Sequence, residues 1–288
     1  MNKEFLITIK EDTTVKKVLI EKLNLSSQLV TNIKKYSDGI LLNGKKVNVN
    51  VSLKFGDELK IKIYDENSDI KPNDIPLNIL YEDDDIIVLN KERNMPTHPS
   101  QNHYEDTLAN ALMYYFKEKN FTFRAITRLD KDTSGIVLVA KNPYSSHILN
   151  EQMKNKKIKK EYFAIVNGCL NPKMGLINVP IKRCENTVML REVSPNGKEA
   201  ITEYETVWEN EKFSLVHLLP QTGRTHQLRV HLSYMGCPIY GDDLYGAPQK
   251  DAILLHCGSI EFLHPTAKQK MKIEVTVPCD MDKIITPE

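Results

Sequence analysis

Apolar residues near the start of the chain recur at the three- and four-residue spacing of an amphipathic helix. The residues that carry this spacing are Val15, Val18, Leu19 and Leu23. A second apolar run follows, and its members are Leu29, Val30 and Ile33. Ser26 and Ser27 stand just before this run, where a hydroxyl group can accept a hydrogen bond from a free backbone N–H group. The pattern therefore predicts two short helices in succession.

The pattern then changes from helices to strands. Residues 40–47 indicate a hairpin around the dipeptide Asn43-Gly44, a pair favoured in two-residue hairpin turns because both positions need a positive φ. A second turn is predicted at Gly56-Asp57. A closing strand is predicted where apolar and polar positions alternate, at Leu59, Ile61 and Ile63. Residues 1–65 are therefore expected to form a compact module of their own.

Residues 66–76 are polar, contain Pro72 and Pro76 and show no period, so they are predicted to be a linker. From residue 77 to residue 288 the pattern consists mostly of short strands separated by Gly and Pro turns. Helical spacing occurs near residues 107–119 and 223–235. The sequence thus predicts an α+β protein with a small N-terminal domain and a larger strand-rich domain.

Charge changes this picture through its distribution. The whole chain carries a net charge of +1, but residues 1–65 carry +4, residues 66–85 carry −6 and the remainder carries +3. Two basic parts therefore flank an acidic connector. Near-neutrality of the whole chain does not argue against a nucleic-acid partner.

Two other features bear on location and on metals. The longest apolar stretch, residues 136–140, is too short to cross a bilayer, and residues 1–14 lack the apolar run of a signal peptide. A cytoplasmic location without membrane association is expected. The cysteines are odd in number and form no C-x-x-C pair, which argues against a disulfide framework and a zinc knuckle. We expect reduced thiols, mostly buried, at Cys169, Cys184, Cys237, Cys257 and Cys279.

Residues 124–135 form a polar, turn-rich loop that leads directly into the apolar stretch 136–140. Loops held by rigid strands are where catalytic residues concentrate. Part of the loop imitates the first positions of a calcium-binding EF-hand, at Asp130, Asp132, Ser134 and Gly135. The twelfth EF-hand position needs a bidentate Glu but is Lys141 here, so calcium binding is rejected.

This loop resembles the signature of the RluA-type ribosomal large-subunit pseudouridine synthases, roughly His-Arg-Leu-Asp-x-x-Thr-Ser-Gly. The matching residues are Arg128, Leu129, Asp130, Thr133, Ser134 and Gly135, whereas Thr127 replaces the usual His. Further segments similar to the family occur in the expected order, at residues 95–99, 160–164, 221–231, 236–242 and 255–265. The resemblance covers essentially the whole chain. It implies an RNA-modifying isomerase without cofactor or metal, built on a bent, mostly antiparallel sheet with its active site in a cleft.

The resemblance also implies roles for individual residues. Asp130 is the expected nucleophile, because a carboxylate can attack the uracil ring or the anomeric carbon without a metal. Arg229 is expected to pair with Asp130 and favour its ionised form. Tyr162 is expected to lie against the target base, and Arg128 to fill the space left when the uridine swings out. Leu228 is expected beneath the uracil. Without the resemblance, Tyr162 would be assigned to the core. The alternatives are a surface arginine on an amphipathic helix for Arg229 and an ordinary core leucine for Leu228.

Basic residues supply the candidates for RNA contact. The layout of residues 1–65 resembles the RNA-binding S-four domain, which implies that its lysines face RNA rather than only solvent. These are Lys34, Lys35, Lys45 and Lys46. A second basic run precedes Tyr162 and is interpreted as phosphate contacts that position RNA without reading sequence. It contains Lys154, Lys156, Lys157, Lys159 and Lys160.

The remaining evidence separates alternative functions. His226 and His231 are five residues apart and lack the H-E-x-x-H pattern of zinc enzymes, so structural hydrogen bonding or RNA contact is favoured. A hydrolase is poorly supported, because the chain has no G-x-S-x-G elbow. A non-catalytic RNA-binding or ribosome-assembly factor that retains the fold is the alternative. The predicted function is a monomeric RNA pseudouridine synthase acting on structured RNA, with ribosomal RNA the expected substrate and transfer RNA a second candidate.

Overall fold

The computed structural model of the protein describes residues 1–185, 187, 190–249 and 251–286. The elements of the N-terminal unit are β1 (Lys3–Thr8), β2 (Thr13–Thr14), α1 (Val15–Lys17), α2 (Ser27–Lys34), β3 (Ile40–Leu42), β4 (Lys45–Lys46), β5 (Ser52–Leu53) and β6 (Glu58–Ile63). Helix α1 continues directly into a π-helical turn at Val18–Lys22.

The N-terminal unit follows the predicted pattern. Ser26 caps α2, since its hydroxyl accepts the Leu29 N–H at 3.3 Å. The β3–β4 hairpin turns at Asn43 and Gly44, with φ angles of 47° and 78°. The sheet has the strand order β1-β6-β3-β4, and the alternating apolar residues of β6 pack into the core of the unit. The predicted helices, hairpin and closing strand are therefore confirmed.

The larger unit begins at β7. Its elements are β7 (Ile79–Glu82), β8 (Ile86–Lys91), α3 (Leu108–Tyr115), β9 (Ser134–Ala140), α4 (Pro143–Lys154), β10 (Lys159–Asn167), β11 (Met174–Asn178), β12 (Ile181–Arg183), β13 (Arg191–Val193), β14 (Ile201–Glu209), β15 (Phe213–Pro220), α5 (Gln227–Tyr234), β16 (Leu255–Leu263), β17 (Lys270–Glu274) and α6 (Cys279–Ile285). A 3₁₀ turn lies at Asp243–Tyr245.

A long sheet organises the larger unit, in the order β11-β14-β15-β10-β16-β9-β8-β7, with β17 also paired to β16. Pairing among its described strands is antiparallel except for β9 with β16, which run parallel. The central strand β9 is buried over its whole length, as expected for an apolar run covered on both faces. The prediction of an α+β protein with a mixed, mostly antiparallel sheet is confirmed.

Two predicted helices are shorter than their apolar spacing suggests. The helix predicted at 107–119 is capped by Thr107 but ends at Tyr115. The helix predicted at 223–235 begins only at Gln227, because His226 before it has a φ of 56° and cannot be part of a right-handed helix.

Helix α4 joins the two units. Tyr144 on α4 is buried in the core of the N-terminal unit, and its ring meets Phe5 of β1 edge to face at a centroid distance of 4.8 Å. His147 Nε2 lies 2.9 Å from the carbonyl oxygen of Asn24, and Lys3 pairs with Asp85 at 2.7 Å. An apolar contact with polar bonds around it therefore holds the units together.

The cysteines correct one expectation. Cys237 and Cys257 are buried, but Cys169 and Cys279 are exposed and Cys184 is half-buried. The expectation that most of them lie in the core is therefore wrong. All five are free thiols. Within the described residues, no helix is long and apolar enough to span a membrane.

Candidate active site

Asp130 lies in a loop whose backbone is held by side-chain hydrogen bonds before and after it. Thr127 is buried, and its hydroxyl accepts the Leu138 N–H of β9 at 2.9 Å. The Thr97 hydroxyl donates to the Leu129 carbonyl at 2.8 Å and accepts the Leu129 N–H at 3.3 Å. These bonds fix the chain immediately before Asp130. They also give Thr127, which stands where the family's usual His is expected, a definite structural function.

Lys91 supports the same loop through its side chain, a role that no sequence pattern indicated. Its side chain is buried, and its ammonium group donates to the carbonyl oxygens of Glu92, Met95 and Lys131 at 2.8, 2.8 and 3.1 Å. Burial lowers the pKa of Lys91 to about 8, although the nearby carboxylates of Asp132 and Asp130 oppose this shift. The amine is therefore mostly charged at neutral pH and places a positive charge behind the loop.

Gly135 allows the loop to end where β9 meets β16. Its φ is 113°, and a Cβ atom there would lie 2.3 Å from the carbonyl oxygen of Cys257. Only glycine fits such a backbone approach without displacing the neighbouring strand. The Asp130 loop is thereby set at the start of the most buried strand of the sheet.

Arg229 projects from α5 and is almost fully buried, with only 5% of its surface exposed. Its guanidinium donates two hydrogen bonds to Asp242, both at 2.7 Å. Burial by itself lowers the pKa of Arg229, but the bonds and the charge of Asp242 raise it overall, with a further contribution from Asp130. The expectation of a direct ion pair between Arg229 and Asp130 is therefore corrected. Asp242 is the direct partner, and Asp130 acts on Arg229 through longer-range electrostatics.

His226 is the side chain that approaches Asp130. Its Nε2 atom lies 4.0 Å from Oδ2 of Asp130. On the other side of the ring, Nδ1 is 2.8 Å from the hydroxyl of Tyr245, which accepts the backbone N–H of Arg191 at 3.0 Å. If the Tyr245 hydroxyl donates to Nδ1, the ring proton is placed on Nε2 and faces the carboxylate.

The surroundings of His226 keep its ring neutral near pH 7. Burial is the largest influence lowering the pKa of His226, and Asp130 opposes it. Arg229 and Arg191 lower it further, whereas Asp242 acts in the opposite direction. Sequence reasoning assigned His226 only to structural bonding or RNA contact. His231, assigned in the same way, bonds to Thr202 at 2.9 Å and to the Val179 carbonyl at 3.2 Å.

Tyr162 lies on β10 and is buried facing Cys257 of β16. The pairing of these two strands shifts register between Glu161 and Tyr162. Burial raises the pKa of Tyr162 well above its usual value, and burial also raises the pKa of Cys257 to about 11. Both groups are therefore neutral at physiological pH. Lys160 Nζ lies 5.9 Å from the Tyr162 ring centroid.

One cavity of about 310 Å³ is lined by Asp130, Tyr162, His226 and Arg229, and its volume is within the size range of small-molecule sites. Asp130 is partly open to this cavity, with 34% of its side chain exposed. The sequence-predicted residues in its lining are Arg128, Asp130, Lys160, Tyr162, Leu228 and Arg229. His226 also lines this cavity, although the sequence did not indicate it as a site residue. Within the described residues, no group of three or more His, Cys, Asp and Glu side chains is positioned to hold a metal.

A second cavity of about 580 Å³ adjoins the first and shares Lys160, Thr222 and Arg224 with it. Its further basic lining residues are Lys154, Lys156 and Lys159. Lys157 is exposed. The lysines predicted in the N-terminal unit are exposed elsewhere and are not among the described residues that line either cavity, namely Lys34, Lys35, Lys45 and Lys46.

The model of the RNA pseudouridylate synthase family matches residues 85–234, just over half of the chain. The chain therefore belongs to this family, as the motifs predicted. Asp130, Tyr162, His226 and Arg229 all lie within the matched region, whereas Asp242 and Tyr245 follow it.

Individual relatives agree with this assignment. A Bacillus subtilis protein named uncharacterized RNA pseudouridine synthase YjbO is 36% identical over 93% of this chain and 96% of its own length. Ribosomal large subunit pseudouridine synthase D of Borreliella burgdorferi is 39% identical over 76% of this chain and 72% of its own length. The solved structure of human RNA pseudouridylate synthase domain containing 1 matches with a TM-score of 0.59 at 26% identity, over 73% of this chain and 86% of that one. The chain thus has the pseudouridine synthase fold.

Proposed function

We propose that this protein isomerises specific uridines to pseudouridine in structured RNA, with large-subunit ribosomal RNA as its substrate. One observation carries the proposal. Asp130 stands partly open in a cavity whose lining combines a neutral tyrosine, a buried arginine and a histidine. The relatives named as ribosomal large-subunit enzymes support the choice of RNA.

In this proposal Asp130 is the nucleophile. Its carboxylate attacks the anomeric carbon of the ribose or the uracil ring, and the bond between the ribose and nitrogen N1 breaks. The uracil turns while it is held in the cavity, and a new bond joins the ribose to carbon C5. The proton on C5 leaves and N1 gains one, so the reaction is balanced without a cofactor. Asp130 is released unchanged.

Arg229 and His226 assist Asp130 from different distances. Arg229 contributes a fixed positive charge, which its bidentate bond to Asp242 keeps in place. With the Tyr245 hydroxyl donating to Nδ1, His226 would present a neutral N–H group toward Oδ2 of Asp130, 4.0 Å from Nε2. A preorganised donor and cation stabilise negative charge at the carboxylate and cost little reorganisation during the reaction.

We assign Tyr162 to holding the base rather than to removing its proton. Burial keeps the phenol protonated, so at neutral pH it is not a ready base. Its aromatic ring, together with Leu228, provides an apolar surface on which uracil can lie. Base contact is therefore the function we propose for both residues.

Base flipping brings the uridine into this cavity, because an enzyme that acts on a base within structured RNA must first unstack it. Arg128 is exposed at the edge of the cavity, and its planar guanidinium is suited to the space that the base leaves. The lysines of the second cavity, together with Lys157, would bind the neighbouring phosphates.

The proposal extends to the whole chain. Residues 1–65 would act as an S-four-like RNA-binding domain through Lys34, Lys35, Lys45 and Lys46. Residues 66–76 would be the linker and residues 77–288 the catalytic domain. We propose a monomer that acts in the cytoplasm.

A map of pseudouridine across cellular RNA tests the proposal. Cells lacking the gene would be complemented with the wild type, with Asp130→Asn, or with Asp132→Asn as a matched control in the same loop. We expect sites that vanish on deletion to return with the wild type and with Asp132→Asn, but not with Asp130→Asn. Sites restored by Asp130→Asn would refute the nucleophile. If no site changed in a strain without redundant enzymes, the non-catalytic RNA-binding factor would replace the proposal.

A further inference from the structure

Two tyrosines of the N-terminal unit form a stack at the junction with the larger unit. The rings of Tyr36, just after α2, and Tyr64, just after β6, lie 3.9 Å apart at an interplanar angle of 19°. Lys62 Nζ lies 4.6 Å from the centroid of Tyr64. These three side chains form a contiguous group, the Lys62–Tyr64–Tyr36 column, in which Tyr36 is 39% exposed.

This column is held in place by polar contacts. The Tyr64 hydroxyl donates to Asp38 at 2.6 Å, and Lys62 pairs with the same carboxylate at 3.1 Å. Tyr64 and Lys62 therefore share one anchor, the Asp38 carboxylate. A ring already fixed in position loses little conformational entropy when a ligand stacks on it.

The column borders a cavity of about 290 Å³ between the two units. Helix α2 contributes Asn32, and the residue after it, Lys35, also lies in the lining. Polar residues of the larger unit complete the lining, namely Arg124, Ser146 and His147. Arg124 is paired with Asp65, and Glu66 is the acidic residue of the lining. Lys35 is exposed and contacts only the neutral amide of Asn32 among its described polar contacts, at 3.2 Å.

We propose that this cavity binds one unpaired base of the RNA substrate, which extends the Lys62–Tyr64–Tyr36 column, with Lys35 binding the adjacent phosphate. An accessible aromatic face beside a cation matches the two requirements of single-stranded RNA, a surface for stacking and a positive charge for the backbone. The inference rests on the proposed function in one respect, that the substrate is RNA. It adds a base-stacking site beside Lys35, separate from the cavity that contains Asp130.

The test measures binding of the full-length protein to two fluorescent probes of equal length. One probe is single-stranded oligoadenylate, and the other is an abasic ribose-phosphate chain with no bases. We expect Tyr36→Ala to weaken oligoadenylate binding about tenfold, since stacking on an aromatic side chain contributes on the order of 1–3 kcal/mol per base. Affinity for the abasic probe should not change. Tyr36→Phe should bind both probes as the wild type does, because it keeps the ring.

Two controls protect the interpretation. Tyr115→Ala removes another exposed tyrosine, which lies on α3 and bonds Glu82, and it should leave both affinities unchanged. Tyr36→Trp enlarges the stacking surface and should tighten oligoadenylate binding. The proposal is overturned if Tyr36→Ala binds oligoadenylate as well as the wild type, if it weakens both probes equally, or if the wild type binds neither.

Isomerisation assays separate this inference from the proposed function. With substrate RNA, Tyr36→Ala should raise KM and leave kcat unchanged at saturation. If the wild type isomerises no uridine yet oligoadenylate binding depends on Tyr36, the proposed function fails and the site stands. If isomerisation is intact but Tyr36→Ala changes neither KM nor oligoadenylate affinity, the site fails and the proposed function stands.

Discussion

At the residue scale, the backbone on either side of Asp130 is held in place by side chains to which no part in the reaction is assigned. Thr97 and Thr127 hold the backbone before it, and Lys91 holds the carbonyl of Lys131 after it. Each of these bonds is buried or nearly so, where an unpaired backbone group would cost free energy. The carboxylate can therefore stay half-exposed to a substrate while its main chain remains fixed.

His226 gives a prediction at this scale. We expect His226→Phe to lower the single-turnover rate of isomerisation about tenfold. The physical reason is that the negative charge of Asp130 loses a neighbouring polar ring. His226→Gln keeps an N–H donor and should retain most of the activity.

The measurement is single-turnover isomerisation with purified variants and saturating RNA. Tyr245→Phe is a further probe, because it removes the hydroxyl at 2.8 Å from Nδ1 of His226. We expect it to lower the rate by a smaller factor. An unchanged rate in His226→Phe would assign this histidine a purely structural role.

At the element scale, the site is assembled where β9 and β16 run parallel within an otherwise antiparallel sheet. The Asp130 loop enters β9, Tyr162 lies on β10 at the other edge of β16, and α5 contributes Arg229. The parallel pair thus brings together residues that are far apart in sequence. Its register depends on Gly135.

Gly135→Ala tests this dependence. A methyl group at this position would lie 2.3 Å from the Cys257 carbonyl oxygen, and alanine is also strained at a φ of 113°. We expect Gly135→Ala to lose several kcal/mol of the free energy of unfolding or to be insoluble, as judged by urea denaturation. Gly223→Ala is the matched control, since its Cβ would meet nothing within 4 Å, and its unfolding free energy should be unchanged. Equal stability of the two variants would contradict the prediction.

The sequence predicted local elements better than it predicted partners. The Asn43-Gly44 hairpin was predictable because its turn needs two positive φ angles, a property of two adjacent residues. The pairing of Arg229 with Asp242 was not, because no spacing rule indicates that a loop thirteen residues later folds back onto α5. The roles of Lys91 and His226 likewise depend on burial and on contacts between distant elements. The start of α5 was misplaced because helical spacing does not register the left-handed backbone of His226.

At the scale of the whole molecule, stability should decrease in mild acid. His256 is buried, and its Nδ1 lies 2.9 Å from the Ser134 hydroxyl. Burial lowers the pKa of His256 from 6.5 to about 4, with a further lowering by Arg93. Between these two values the unfolded chain binds a proton that the folded chain does not. Stability from this group is therefore present above pH 6.5 and is lost as pH falls toward 4.

This linkage predicts a loss of about 2 kcal/mol in the free energy of unfolding between pH 7 and pH 5 from His256. Urea denaturation at the two pH values measures it. In His256→Gln, which has no ring to protonate, the difference in the free energy of unfolding between the two pH values should shrink by roughly that amount. The same difference should persist in His103→Gln, a change at a less buried histidine. An identical pH dependence in all three proteins would contradict the assignment.

The junction at Tyr144 has a consequence for how a target is chosen. Because α4 contributes to the core of the N-terminal unit, the distance between the surface of that unit and Asp130 is set by the fold rather than by a loose tether. The fold therefore sets a fixed distance between the surface of the N-terminal unit and the cavity that contains Asp130. An RNA that binds at both places must carry its target uridine at a matching distance from the segment bound by the N-terminal unit, whatever the sequence between them.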